Sequence, residues 1–478
     1  MPDLSAIDAR REAVANGLLP IMRIEGQPLH WSMAERQDHY QCPGVSVAVI
    51  KGGEIDWAAG FGTKSLKGLP GGDEPIDSDT MFMAASCSKP ITAVLALQQV
   101  DRGVFDLDAD INRYLTRWQI PVDEFTSRQP VTLRHILSHT AGLTVNGWGA
   151  MQRDSAHIPT VIDLLEGKHP SVNQAVYVDK HYDGVGRYSG GGYVLTQMAL
   201  EDTLGESFDS LAQRMLFDPL GMTRSNFTQP LPEKFHTNVA SGHNDVKGAI
   251  PGGWMVQSDM GAGGLFSTAG DYARFLIAVR RAWLGEMNSI LSHETARGML
   301  QRHASSVFGL GFRVLGSGSH ARMNHGGSND GFQSETDLYL ESGDGAVVFT
   351  NSVSGIYLFK EVLNGISQVY DWPGYMIPPK KLVTLTPEQQ QKYVGSYRIQ
   401  AGIELPLINV WVQNGQLTSE IPGLRFGVQP AYCDSNGLLF NQTGPYETHV
   451  EFGDDGRARN LIVIEGGETE IMRAERVA

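Results

Sequence analysis

Cysteine is scarce in this chain: Cys42, Cys87 and Cys433 are the only three in 478 residues. They are too few and too scattered for a disulfide framework or a zinc site, both of which need closely spaced partners. Long apolar runs are missing too. No stretch of eighteen apolar residues occurs, so no membrane-spanning helix is expected. The first twelve residues mix acids and bases without a seven-residue apolar core, unlike a secretory signal, so a cytoplasmic protein is expected. Basic charge is in deficit, with 38 Lys and Arg against 53 Asp and Glu, a net −15 that repels phosphate backbones and anionic lipid surfaces. Neither nucleic acid nor a membrane is an expected partner. Three chemical motifs are also absent: a Gly-x-Ser-x-Gly elbow, a Gly-x-x-x-x-Gly-Lys loop and a His-Glu-x-x-His zinc motif, since "HETAR" at His293 lacks the second histidine. No metal and no cofactor is implied.

What is present is a soluble-type composition, 41% hydrophobic and 19% charged, with 55 glycines that suggest many turns. The stretch "VSVAVIKGGEIDWAAGFG" reads as a β-hairpin from Val45 to about Gly62 around a Lys-Gly-Gly turn. From about Pro90 to Leu284 apolar residues recur at three- and four-residue spacing, as in "YVLTQMALEDTL" and "DYARFLIAVRRAW", the latter opening on Asp271, which has capping-box spacing to Thr268. Strand patterns return in "FGLGFRVLG", "FQSETDLYL" and "GAVVFTNSV". The early hairpin and these late strands predict one sheet around a helical insert, a mixed α/β body. A proline cluster follows at Pro373, Pro378, Pro379 and Pro387. Beyond it, short β-type runs alternate with turns at Asn414-Gly415, Asn436-Gly437, Asp455-Gly456 and Gly466-Gly467. The expected organisation is a first domain over 1–372, a linker over 373–387, and a small antiparallel barrel over 388–478.

The segment "SCSKPITAVLAL" concentrates the chemistry. Proline is tolerated in a helix only near its first turn, so Pro90 pins a helix start close to Ser86, and the apolar run after it predicts a buried helix. Three positions make about one turn, which puts Ser86 and Lys89 on one face. A serine hydroxyl is a weak nucleophile until a base takes its proton, and a lysine stripped of water can be that base. Alone, the pair is equally compatible with a helix cap and a snorkelling lysine. Downstream, "GRYSGGGYVL" sets Tyr188-Ser189-Gly190 before a predicted helix, and "MNHGGSNDGF" sets His325-Gly326-Gly327-Ser328 at a strand edge.

With these three elements in order, the sequence resembles the serine β-lactamase and penicillin-recognising superfamily, on the branch of class C β-lactamases, D-aminopeptidases and family VIII carboxylesterases. "LSHTAGL" and "GAGGLFSTAGDYARF" are also typical of that branch, and the likeness spans roughly residues 35–365. The resemblance implies an antiparallel sheet flanked by helices plus an all-helical subdomain, and a C-terminal segment similar to the lipocalin-like domain of some relatives. It implies Ser86 as acyl-accepting nucleophile, Lys89 as base, Tyr188 as the proton shuttle to the leaving group, and His325 lining the opposite wall. The backbone amides of Ser86 and Ser328 would form the oxyanion hole, and glycines at 326 and 327 would let substrate backbone approach. Gly190 replaces the usual asparagine and His325 the usual lysine, which points away from penicillin and toward an esterase or amidase acting on a small ester, amide or short peptide. Acyl transfer by the same centre and a silent ligand-binding protein are the alternatives. Trp148 and Trp254, in glycine-rich loops, are candidates for the pocket rim, although simple packing accounts for them equally well.

Overall fold

A computed structural model describes residues 4–149, 151–169, 173–180, 186–244, 248–304, 306–400, 407–422, 427–465 and 469–477. The chain divides into two compact units, Met1–Arg11 with Gln37–Phe359, and Glu12–Arg36 with Lys360–Ala478.

In the first unit, strands β1 (Gly44–Lys51) and β2 (Glu54–Gly62) form the expected hairpin. Gly52 and Gly53 turn it at φ of 61° and 85°, the left-handed conformation that glycine adopts without penalty. The short strands β3 (Phe82–Ala85) and β4 (Leu265–Ser267) pair with each other. Strands β5 (Arg313–Leu315), β6 (Arg322–Asn329), β7 (Phe332–Tyr339) and β8 (Gly345–Thr350) complete a six-stranded antiparallel sheet in the order β2-β1-β8-β7-β6-β5. β1 is apolar without alternation because it is central: Val45 pairs with Thr350 and Val47 with Val348, and Val45 to Ile50 are all buried.

Three helices matter for the site. Helix α1 (Ser88–Asp101) is buried from Ser88 to Gln99, as its all-round apolar character requires. It packs against helix α2 (Gly190–Leu204) and the short helical turn Met260–Gly263. Helix α3 (Ala269–Leu284) lies on β1, β2 and β8. Thr268 caps α3 by accepting from Asp271 N–H, but the capping box is only half built, because the Asp271 carboxylate accepts instead from Arg224 N–H and Ser225 O–H.

The second unit is one curled antiparallel sheet of ten strands, running from Leu382–Val383 through Tyr432–Asp434 and Tyr446–Phe452 to Gln416–Glu420 and Gln429–Pro430. The expected barrel thus takes the form of a half-barrel, since its two end strands do not pair with each other. Tyr397, Leu417, Leu461 and Ala474 lie in its core. Asn414-Gly415, Asn436-Gly437 and Asp455-Gly456 are turns, with Gly415, Gly437 and Gly456 all at positive φ. The turn expected at Gly466-Gly467 lies outside the described residues. Pro387 is the first residue of a helix (Pro387–Gln391) capped by Thr386, so it starts an element where a linker was expected. Glu12–Arg36 joins this unit: Ile24 bridges Lys380, Met22 and Ile24 pack on Phe440, and Arg36 forms a bidentate pair with the buried Glu361 at 2.6 and 2.7 Å. No described helix is long and apolar enough to cross a membrane.

Candidate active site

Ser86 occupies the turn between β3 and α1. The helix proper begins at Ser88, two residues later than Pro90 alone suggested, with Pro90 its third residue. Ala85, immediately before the serine, has φ of 51°, a left-handed conformation that a side chain adopts only when its surroundings enforce it. Ser86 is partly exposed while Lys89 is 2% exposed. The Lys89 ammonium donates to Ser86 Oγ at 3.0 Å and to the Ala262 carbonyl at 2.7 Å.

That second contact depends on tight packing. Thr92 Oγ1 donates to Gly261 O at 2.7 Å, and a Cβ on Gly261 would stand 3.1 to 3.2 Å from Gln197, Thr92 and Tyr193. The turn Met260–Gly263 is thereby pressed onto α1 and α2, and its carbonyl anchors the lysine. Nothing in the spacing of "GAGGLFS" identified Ala262 as a partner, because the contact runs through a backbone atom.

Cys87, beside Ser86, is not a competing nucleophile. Its thiol is fully buried against Ser334 and the His325 carbonyl, and burial pushes it up to about 12, leaving it protonated at neutral pH.

Tyr188 stands next to the pair, with the Lys89 ammonium 4.8 Å from its ring centroid. His325 is fully buried, its ring centroid 6.4 Å from that of Tyr188. Its Nδ1 lies 2.7 Å from the Gly326 carbonyl, which can only accept, so Nδ1 carries the proton and Nε2 presents a lone pair with no partner among the described residues. Burial first, then the charges of Arg313 and Lys89, hold this imidazole well below its usual range, in the neutral form. His325 is therefore a buried neighbour of Tyr188 and not part of an exposed wall.

Ser328 lies at the end of β6. Asn329 and Phe332 close the two-residue turn Asp330-Gly331, and antiparallel pairs alternate in orientation, so the Ser328 N–H points away from β7. On that side β5 pairs only with Arg322 to Asn324, which leaves the edge beyond His325 without a ladder partner among the described residues.

Gly327 owes its identity to packing instead of substrate approach: a Cβ there would meet Ala84 O at 2.2 Å and Ser334 Oγ at 2.4 Å. At Gly326 a Cβ would meet Glu335 Oε2 at 2.5 Å. Gly327 thus lets β6 close against β3, the strand just before the serine, and Gly326 makes room for the Glu335 side chain of β7.

An open cavity of about 600 Å³ adjoins Ser328 and is lined by Trp148, Gln257, Asn329, Gln333 and Val353, with Asp330 its charged side chain. Asn329 donates to Gln257 Oε1 at 2.8 Å, and Gln333 to Ser328 Oγ at 2.9 Å. Two other cavities of similar size, beside Arg134 and beside His293, contain none of the site residues. Trp148 thus lines the cavity. Trp254 does not: it is buried among Phe266, His236 and Arg153, in the packing role.

The missing asparagine of the second motif also has a structural reason. A Cβ on Gly190 would stand 2.7 Å from the Asn146 carbonyl and 3.3 Å from the Trp148 ring, and Gly190 N–H donates to that same carbonyl at 2.9 Å. The loop bearing Trp148 fills the space an asparagine side chain would need. Gly190→Asn is accordingly expected to lower stability by about 1–3 kcal/mol through overpacking, despite the usual gain from replacing a helical glycine, and to confer no penicillin hydrolysis. Denaturant unfolding and a chromogenic cephalosporin assay check both; a stable, penicillin-cleaving variant contradicts the packing argument.

Asp259 is a buried acid that sequence reasoning missed. Burial pushes its carboxyl up to about 7, opposed by the nearby positive charge of Lys89. An unfolded aspartate titrates near about 3.9, so the folded proton adds stability that is complete below that value and lost as pH rises through about 7. His139 and His325, depressed by burial, act in the other sense: their contribution is lost as pH falls below the usual histidine value of about 6.5. Asp259→Asn keeps both histidines and removes the acid, so its thermal midpoint relative to the native chain is expected to rise between pH 6 and pH 8. An equal difference at both pH values contradicts a buried titrating carboxyl.

The family profile described as Beta-lactamase matches residues 32–360. The chain belongs to this family. A penicillin-binding protein of Bacillus subtilis strain 168 is 24% identical over 455 residues, covering 90% of this chain and 95% of its own length. A lovastatin esterase of Penicillium rubens is 26% identical over 49% of this chain and 63% of its own. Among solved structures, a D-amino acid amidase from Ochrobactrum anthropi SV3 in complex with D-phenylalanine superposes with a TM-score of 0.58 at 21% identity, covering 75% of this chain and 99% of that one. The family member described here thus has the expected α/β fold, with the strands of the half-barrel following the matched region.

Proposed function

We propose that this Beta-lactamase family member is a serine hydrolase of the esterase or amidase type, acting through an acyl-enzyme on Ser86. The observation that carries the reading is the 3.0 Å contact between Lys89 Nζ and Ser86 Oγ at the mouth of a buried helix. Relatives bearing esterase and amidase names support the reaction class.

In the proposed sequence Lys89 acts as the base that takes the Ser86 hydroxyl proton as Oγ attacks the substrate carbonyl carbon. The developing oxyanion accepts from the amides of Ser86 and Ser328, donors fixed by the turn and the free edge of β6. Tyr188 gives a proton to the departing alcohol or amine as the C–O or C–N bond breaks. Water then attacks the acyl ester and gives a proton to the Tyr188 oxygen, while Lys89 returns its proton to Ser86 Oγ as the ester C–O bond breaks, which releases the acid and free Ser86.

Two features bear on the substrate. No lysine stands at position 325, and the charged side chain on the cavity lining is the carboxylate of Asp330. Neutral or amine-bearing substrates are therefore expected to outrun carboxylate-bearing ones. A panel of L- and D-amino-acid amides against short acyl esters, each with and without a free carboxylate, tests the reading. Turnover of none of them sinks it and favours ligand binding without chemistry, and faster turnover of the carboxylates overturns the charge argument.

A further inference from the structure

One residue outside the three motifs grips the segment that carries Tyr188. The His139 carbonyl accepts from Arg187 N–H at 2.7 Å, and His139 Nδ1 accepts from Ser189 N–H at 3.1 Å. Between them, the His139 ring stacks on the Tyr188 ring with centroids 4.3 Å apart and planes at 30°. Three successive residues, 187 to 189, are thus tied to a single histidine. Phe308 closes the stack edge-on, 4.6 Å from His139, and Tyr193 flanks it at 5.3 Å.

The chemistry of the contacts defines the state of the ring. Ser189 N–H can only donate, so Nδ1 is bare and the proton sits on Nε2, which is buried without a partner among the described residues. Burial, followed by the charges of Lys89 and Arg313, holds the imidazole neutral. A neutral ring against Tyr188 matters because the Lys89 ammonium already lies 4.8 Å from the Tyr188 centroid, and a second cation there would repel it. The backbone of His139 is at φ 59°, a left-handed conformation that is costly for an imidazole-bearing residue, and the same geometry directs both its carbonyl and its ring at the tyrosine segment.

We propose that His139 is a positioning residue for Tyr188, holding the phenol ring at a set depth beside Lys89 so that its hydroxyl reaches the leaving group. This rests on Tyr188 being the proton donor in the reaction proposed above.

The test uses leaving groups. An alkyl alcohol or an amine needs a proton to depart, whereas p-nitrophenolate leaves without one. His139→Asn tolerates the left-handed backbone and supplies Oδ1 as an acceptor for Ser189 N–H, so it removes little beyond the stacked ring. It is expected to lower kcat/KM for an alkyl ester or amino-acid amide by about 10- to 100-fold, as partial loss of general acid catalysis does, with a much smaller drop for the p-nitrophenyl ester of the same acid. Tyr188→Phe should show the same selectivity, and the double variant should match Tyr188→Phe alone. Phe308→Leu, which leaves the strained position untouched, should reproduce the pattern more weakly and decides the matter if His139→Asn does not fold.

Equal losses on both leaving groups, or losses that multiply in the double variant, overturn the positioning role. Fluorophosphonate labelling of the native chain separates this from failure of the reaction itself. A Ser86 adduct with uniform losses overturns positioning alone, and the absence of any adduct overturns both.

Discussion

Ser86→Ala is expected to cut turnover of a p-nitrophenyl ester by about 10⁴- to 10⁶-fold, the scale on which removal of an activated nucleophile acts. The substitution deletes only the oxygen that Lys89 reaches at 3.0 Å, and Lys89 retains its second acceptor, the Ala262 carbonyl. No buried group is stranded, so the unfolding midpoint should stay close to that of the native chain. Loss of activity with retained stability is the expected pair of results. Activity within about tenfold of native would remove Ser86 from the chemistry.

Lys89→Met is expected to be nearly as damaging, about 10³- to 10⁵-fold in kcat/KM, because a serine hydroxyl without its base reverts to a poor nucleophile. Methionine fills much of the same volume in a site that is 2% exposed. It cannot donate to Ala262 O, so a stability cost of about 1–3 kcal/mol should accompany the loss of activity. Because nucleophile and base act as a unit, the Ser86→Ala/Lys89→Met double variant should be no slower than Ser86→Ala alone. Steady-state kinetics on the three proteins, with denaturant unfolding of each, checks all of these. Losses that multiply would mean that Lys89 acts independently of the serine.

Local patterns carried much of the fold. The Lys-Gly-Gly turn between two apolar runs was enough to locate β1 and β2, and Pro90 placed the start of α1 to within two residues. Ser86, Lys89, Tyr188 and His325 do come together; the first three lie beside helix starts whose punctuation is visible in the chain, and His325 lies within β6.

What remained illegible depends on contacts between distant residues. Glu12–Arg36 joins the second unit through Ile24 beside Lys380 and Arg36 on Glu361, pairings more than three hundred residues apart that no local period encodes. Gly190 read as a lost asparagine, and only the packed structure reveals Asn146 O and Trp148 in the space. Gly327 suggested room for substrate, whereas β3 occupies that room. Trp148 and Trp254 sit in similar glycine-rich sequences, yet one lines the cavity and the other is core, a difference set by neighbours such as Phe266. His139 belonged to a stretch noted only for its typicality. Its hold on Tyr188 acts through a carbonyl, a ring nitrogen and a stacked face, and none of these leaves a spacing signature.

The central claim is that Ser86 accepts the acyl group, and the intact mass of the protein after incubation with a fluorophosphonate tests it most directly. The account predicts a single adduct that maps to the peptide containing Ser86 and is absent from Ser86→Ala. An adduct on another residue, one that persists in Ser86→Ala, or no adduct on a protein that turns over esters would contradict it.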